Sequence, residues 1–205
     1  MGVIEALEQY IRKVYHRNKV LPRVKAKAVL LYHWGIALRK VERFIKALGL
    51  RGSREAIRQW YHRLSKLMEY VLKSSQELYV DETKIKGRRR LYYLWLAVDI
   101  MGIPCFAYLS RRRDTWTTKI VLSSSRGRVI TTDKGWWYKK ACRELGLEWR
   151  HETFGGRNAV ERAFFPIKHR LKGFYKRFPW NAKFETISSF LRAFIFLYYT
   201  LEGLS

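Results

Sequence analysis

Glu77-Leu78-Tyr79-Val80-Asp81-Glu82-Thr83 is a short apolar-rich run that ends in acid. Alternating apolar residues rich in β-formers read as a strand. Lys86-Gly87 then signals a turn, Leu91 to Ile100 a second strand, Met101-Gly102 another turn and Ile103 to Leu109 a third strand. Three strands joined by short turns make a meander. Asp114 to about Leu122 reads as a helix with Asp114 as its N-cap, and Arg128 to Thr132 as a fourth strand that ends at Asp133. Gly135 to Leu145 is a helix closed by Gly146, Leu147 to His151 a fifth strand, and Asn158 the start of a long helix. Pro166 inside that last helix is expected to kink it or break its hydrogen-bond ladder. The order β-β-β-α-β-α-β-α predicts an α/β domain, with a mixed five-stranded sheet flanked by helices.

Upstream, residues 1–73 read as wholly helical, and a short polar stretch around Lys73-Ser74-Ser75-Gln76 separates them from the strands. The expected domains are therefore 1–73 and 76–205. In the first, Leu38, Val41, Ile45 and Leu48 recur at helical spacing, Gly49 stops the helix and Ser53 offers a cap to the next. That next helix carries Ala56, Ile57, Trp60, Leu64, Leu67 and Val71 on its apolar side, and Arg54, Arg58, Gln59, His62 and Arg63 on the other. A helix, a glycine turn and a helix with a basic outer face fit a helix-turn-helix that reads DNA. They fit equally a small helical bundle with a solvated basic face.

Forty-two Lys and Arg against 17 Asp and Glu give a net charge of +25 over 205 residues. Such an excess points to a polyanion, with nucleic acid ahead of an anionic membrane surface. With 48% hydrophobic residues the chain is no disordered basic tail. The most apolar stretch, Phe184 to Leu201, is broken by Glu185 and Arg192 and has a polar face at helical spacing, so it reads as an amphipathic helix rather than a membrane span. Cys105 and Cys142 stand far apart without metal-ligand spacing, which argues against a zinc knuckle or a disulfide framework and for a reducing cytoplasm.

The acids fall at telling places in this order. Asp81 lies on the first strand, Asp133 follows the fourth, and Glu161 lies one turn into the helix after the fifth. If strands one and four are neighbours, Asp81 and Asp133 converge. Phosphodiester cleavage needs an activated oxygen nucleophile and a stabilised leaving oxygen, which two divalent ions held by carboxylates supply. Mg²⁺ prefers such oxygen ligands. Taken singly, each acid has a plainer explanation. Asp133 is placed to serve as a turn or helix cap, and Glu161 as half of a capping box with Asn158. Glu82 should point to the opposite sheet face from Asp81, and Asp99 is placed to be a turn residue.

At these residues the chain resembles the DDE-type transposases of prokaryotic insertion sequences, in particular the family named for insertion sequence six. The matching segments are Val80-Asp81-Glu82-Thr83-Lys84, Tyr93 to Asp99, Ser110 to Asp114, Thr132-Asp133-Lys134 and Asn158 to Arg162. The resemblance implies a ribonuclease H-like catalytic domain whose metal-holding catalytic acids are Asp81, Asp133 and Glu161. It implies a pair of Mg²⁺ ions, with Mn²⁺ able to substitute. It also implies cleavage at the ends of a DNA element followed by strand transfer into target DNA. The partners would be double-stranded DNA, as terminal inverted repeats and as target, and further copies of the chain in a dimer or larger complex. A basic residue seven positions after the Glu is a further mark of that family, here Lys168. Phosphate contacts are expected from Arg88, Arg89, Arg90, Arg111, Arg112, Arg113, Lys134 and Lys168, and base contacts from Arg54, Arg58 and Gln59. The connection from Asp133 to Glu161, through His151-Glu-Thr-Phe-Gly-Gly156, is shorter than the family usually has. Other readings of the same pattern are a nuclease on the same fold, a non-catalytic DNA-binding remnant and a basic structural protein.

Overall fold

The computed structural model describes residues 2–15, 19–70, 72, 74–87, 90–152, 157–173, 178–179 and 182–202. Its contacts divide the chain into a helical unit, Met1–Val71 with Phe184–Ser205, and a sheet unit, Leu72–Lys183.

The helical unit begins with α1 (Val3–Val14), α2 (Pro22–His33), α3 (Leu38–Ala47) and α4 (Arg54–Arg63). The local signals behave as the sequence predicts. Gly49 takes φ 70°, and Gly49 and Leu50 donate back to the carbonyls of Lys46 and Ile45 to end α3. Ser53 Oγ then accepts from Ala56 N at 3.1 Å and caps α4. The expected single helix to Val71 is not formed, since a 3₁₀ segment takes over at Leu64–Tyr70. The tighter turn still buries Leu64, Leu67 and Met68.

The last helix corrects the expected domain boundary. The stretch assigned to a domain ending at residue 205 includes α8 (Phe184–Glu202), which packs on α4 and the 3₁₀ segment and so belongs to the helical unit. The reason is its apolar face. Ile187, Phe190, Leu191, Phe194 and Leu197 are buried, and Phe190 meets Tyr61 at 5.3 Å between ring centroids while Phe196 meets Tyr10 edge-on at 5.1 Å. Such rings contribute large buried area and prefer tilted or edge contacts. Among the described residues no helix is long and apolar enough to cross a membrane.

The sheet unit contains β1 (Glu77–Lys86), β2 (Leu91–Val98), β3 (Pro104–Ser110), α5 (Thr115–Ser125), β4 (Val129–Thr132), α6 (Trp136–Leu145), β5 (Glu148–His151) and α7 (Arg157–Lys172). The strands lie in the order β3-β2-β1-β4-β5. β1 to β3 form an antiparallel meander, and β4 and β5 add to β1 in parallel. This is the ribonuclease H-like arrangement the element order predicts. Leu78 and Val80 of β1 join Trp95, Ala97 and Ile130 in one apolar cluster under Val121 and Leu122 of α5 and Tyr138, Ala141 and Cys142 of α6. α7 packs on β1 and β2 through residues outside that cluster, among them Ala159, Ala163 and Ile167, and so takes the other face. It runs through Pro166 as one helix, so the proline does not break it.

Turn chemistry sets the ends. Asp99 stops β2 by accepting from Met101 N and Ile103 N at 2.9 and 2.8 Å, the turn role expected of it. Asp114 caps α5, its Oδ1 accepting from Thr117 N at 2.8 Å, and this bond holds its carboxyl below the usual range. A depressed folded pKa means stability that is present above the unfolded value and lost as pH falls through the folded one. Asp114→Ala should therefore destabilise the chain by about 1 kcal/mol at pH 7. In urea titrations the gap should close as pH falls below the ordinary aspartate range and through the lowered folded pKa, where the wild-type carboxyl is protonated as well.

Candidate active site

The site starts from strand pairing. β1 and β4 run parallel with Glu77, Leu78 and Tyr79 opposite Val129, Ile130 and Thr131. Carried two residues further, that register sets Asp81 level with Asp133, which lies just past the end of β4. Parallel partners at one level share a sheet face, so both acids lie at the carboxyl end of the seam between β1 and β4. Each has one oxygen on nearby backbone. Asp81 Oδ1 accepts from Glu82 N at 2.8 Å, and Asp133 Oδ1 from Gly135 N at 2.9 Å. The turn role of Asp133 is therefore real, and it fixes the carboxylate at the mouth of α6. An oxygen-only set of this kind suits a hard divalent cation.

Glu161 does not complete a cluster. It is exposed on the second turn of α7, and among the described residues no three His, Cys, Asp or Glu side chains gather closely enough to hold a metal ion. Asn158, expected as the cap of this helix, lies inside it. Lys168 is exposed on the same helix, with its Nζ 5.5 Å from the Phe164 ring centre.

A fourth acid is closely involved. Glu82 points the other way from Asp81, into the face covered by α6, and its side chain is only 6% exposed. Tyr138, fully buried on α6, donates its hydroxyl to Glu82 Oε2, and Arg113 reaches Oε1 at 3.2 Å. Burial pushes the Glu82 carboxyl up to about 7. The Tyr138 hydrogen bond and Arg113 oppose the rise, while Asp81 and Asp133 add to it. The same acids, after burial, raise the Tyr138 phenol. Asp81, Glu82 and Asp133 are thus electrostatic neighbours. The opposite-face position expected of Glu82 carries the signal for this role: a carboxylate on the stripe that holds Leu78 and Val80 must find buried partners.

The expected DNA contacts divide. Arg111, Arg112 and Lys134 are exposed beside the site, and Arg90 is exposed at the turn after β1. Arg113 turns inward to Glu82, with its guanidinium 4.5 Å from the Trp137 ring centre and 5.8 Å from that of Tyr93. Arg88 and Arg89 lie outside the described residues. In the helical unit the three residues expected at base edges are engaged by acids. Arg54 reaches Glu42 at 3.2 Å, while Arg58 and Gln59 both hold Glu55, at 2.6 and 3.0 Å. Arg58, Gln59, His62 and Arg63 line a cleft of about 520 Å³ with Glu185, Thr186 and Ser189 of α8, so this side of α4 is concave rather than a bare outer face.

The fold defines a ribonuclease H-like domain, with two carboxylates at the carboxyl end of its central parallel seam. Residues 75–194 match the DDE domain family of transposases, more than half of the chain, and the chain belongs to that family. It is 35% identical over 211 residues to an uncharacterized protein of Methanocaldococcus jannaschii, covering 98% of both chains. It is 56% identical over 94 residues to an uncharacterized protein of Aquifex aeolicus, covering 46% of this chain and 78% of that one. Among solved structures it is similar to a simian T-cell lymphotropic virus intasome bound to a PP2A regulatory subunit, with TM-score 0.46 and 18% identity over 60% of this chain and 49% of that one. It is also similar to the HTLV-2 integrase catalytic core with magnesium, with TM-score 0.43 and 18% identity over 60% of this chain and 84% of that one.

His62 gives a test of the cleft. Its Nδ1 lies 2.6 Å from Ser189 Oγ, and burial first, then Arg58, push its pKa down to about 4. Between about 6.5 and 4 the unfolded chain binds a proton there and the folded chain does not, so stability falls as pH drops through that window. The difference amounts to about 3 kcal/mol at most. His62→Gln should flatten this part of the profile when urea unfolding is compared at pH 7 and 4.5. Equal slopes in both proteins would contradict the burial of His62.

Proposed function

We propose that this chain is a DNA transposase of the insertion-sequence-six type, cutting element ends and joining them to target DNA with Asp81, Asp133 and Glu161 as its catalytic acids. The observation that carries the reading is the placement of Asp81 on β1 beside Asp133, just past the end of the adjacent parallel strand β4, within a sheet unit that matches the DDE family. Glu161 comes from α7, which packs on β1, and would close on the pair when metal and DNA are bound, since catalytic contacts often tighten only in the complex. The three carboxylates would hold Mg²⁺, or Mn²⁺ in its place. Bound ions, as a pair, supply the Lewis acidity that activates an oxygen nucleophile and stabilises the leaving oxygen.

The rest falls to the chain's own residues. Arg90, Arg111, Arg112, Lys134 and Lys168 hold backbone phosphates and position DNA without reading it. A net charge of +25 draws the duplex in and makes binding steeply salt-dependent. The helical unit reads the terminal repeats as a helix-turn-helix of α3 and α4, with Arg54, Arg58 and Gln59 changing partner from Glu42 and Glu55 to base edges. Two element ends must meet for joining, so a dimer or larger assembly acts on DNA.

The test is a strand-transfer assay with Mg²⁺ and DNA from both flanks of the gene, where the reading expects short terminal inverted repeats. Wild type should cut and join. Asp81→Asn and Asp133→Asn should each lower product by about a hundredfold or more, the scale of lost metal-ion stabilisation. Glu161→Gln should do the same. Cutting without joining would favour a nuclease on this fold, and undiminished joining by Asp133→Asn would overturn the site assignment.

A further inference from the structure

The edge of the sheet that carries Asp81 and Asp133 also carries bare indole rings. Trp136, the first residue of α6 and three positions after Asp133, is 65% exposed. Trp116, in the first turn of α5, is 70% exposed. β1, β3 and β4 all point the same way, so the loops after β3 and β4, and with them the starts of α5 and α6, lie at one end of the sheet. Large apolar side chains left in water at one edge call for a partner.

The setting of Trp136 narrows that partner. Its ring meets Trp137 edge-on at 5.9 Å, and the Arg113 guanidinium covers Trp137 at 4.5 Å. Glycine at 135 makes this possible, because a Cβ there would stand 2.7 Å from the Trp137 ring and 3.1 Å from Asp133 Oδ1. Trp137 is thus pressed against the Asp133 turn, and Trp136 is mounted on it, facing solvent. Exposed cations surround the pair: Lys134 two residues before, and Arg111 and Arg112 in the loop that delivers Arg113. A firmly seated, exposed indole ringed by Arg and Lys has the chemistry of a base-stacking platform. Bases inside a duplex are already stacked on both faces, so the occupant such a platform favours is an unpaired base, which leaves its faces open.

We infer that Trp136 stacks an unpaired nucleotide of the DNA strand beside the scissile phosphate, with Lys134, Arg111 and Arg112 on the flanking phosphates, and that Trp116 extends the path. The substrate is then an end whose strands are parted at the reacting position, not a closed duplex. This deepens the proposed transposase reading and rests on it for the identity of the DNA.

The experiment needs no cleavage. The full-length protein, with metal chelated, is titrated with a blunt duplex and with the same duplex carrying a three-nucleotide single-stranded tail that contains 2-aminopurine. Wild type should bind the tailed DNA at least about tenfold more tightly, the scale of one base–indole stack, and should quench the 2-aminopurine. Trp136→Ala should lose that preference and the quench while binding blunt DNA as wild type does. Trp136→Phe should keep most of both, and Trp34→Ala, which removes an exposed indole of the helical unit, should change neither. Equal affinity of wild type for the two DNAs, or an unaltered preference in Trp136→Ala, overturns the platform. Because no bond is broken, that outcome leaves the transposase reading standing, and a chain that stacks tails but never joins ends fails that reading alone.

Discussion

The parallel pairing of β1 with β4 is the constraint on which the sheet unit depends. It is the seam between an antiparallel meander and two parallel strands. Its register is held by Leu78 and Ile130, both sunk in the apolar cluster, and by Gln76, whose carbonyl accepts from both Arg128 N and Val129 N at 2.9 Å. Farther along, the Trp149 indole donates to Thr132 Oγ1 at 3.0 Å and holds β5 to the end of β4. A slip of one residue would carry every side chain of β4 to the wrong face, taking Asp133 away from Asp81 and Ile130 out of the core together. Fold and site therefore stand on the same hydrogen bonds.

That coupling concentrates negative charge. Asp81 and Asp133 sit close enough to Glu82 to raise its pKa, and three ionised carboxyls in so small a volume would repel one another. Burial keeps Glu82 near neutrality, while Tyr138 and Arg113 fix its direction. Arg113 thereby ties the loop after β3 to the strand that carries Asp81. Its guanidinium also covers Trp137, beside the Asp133 turn. One cation holds together the surroundings of two acids that are far apart in sequence.

Much of this was legible in the residues. Strand alternation, Gly102 and Asp99 in one turn, and caps at Asp114 and Gly146 are local signals, and local chemistry decided those boundaries to within a few residues. The closeness of Asp81 and Asp133 needed one further idea, the strand order. What stayed hidden was tertiary. Nothing in the spacing of Phe184 to Leu201 says which core its apolar face will fill, and it filled that of the helices. Arg113 looks like its neighbours Arg111 and Arg112, and only the position of Glu82 across the sheet turns it inward. Arg54, Arg58 and Gln59 form a basic stripe on a helical wheel, but a wheel does not show that Glu42 and Glu55 are in reach.

The placement of α8 has a consequence for synthesis. The helical unit is built from both ends of the chain, and the sheet unit is spliced into it. As the polypeptide leaves the ribosome, the sheet has all of its strands long before Phe184 is made. The opening helices meanwhile wait with Tyr32, Tyr61 and Leu64 uncovered. A gene copy interrupted between Glu161 and α8 would still encode Asp81, Asp133 and Glu161, yet its first seventy residues would have no lid for their core. A chain truncated there would thus lose the helical half by misfolding while the codons for those three acids were still intact.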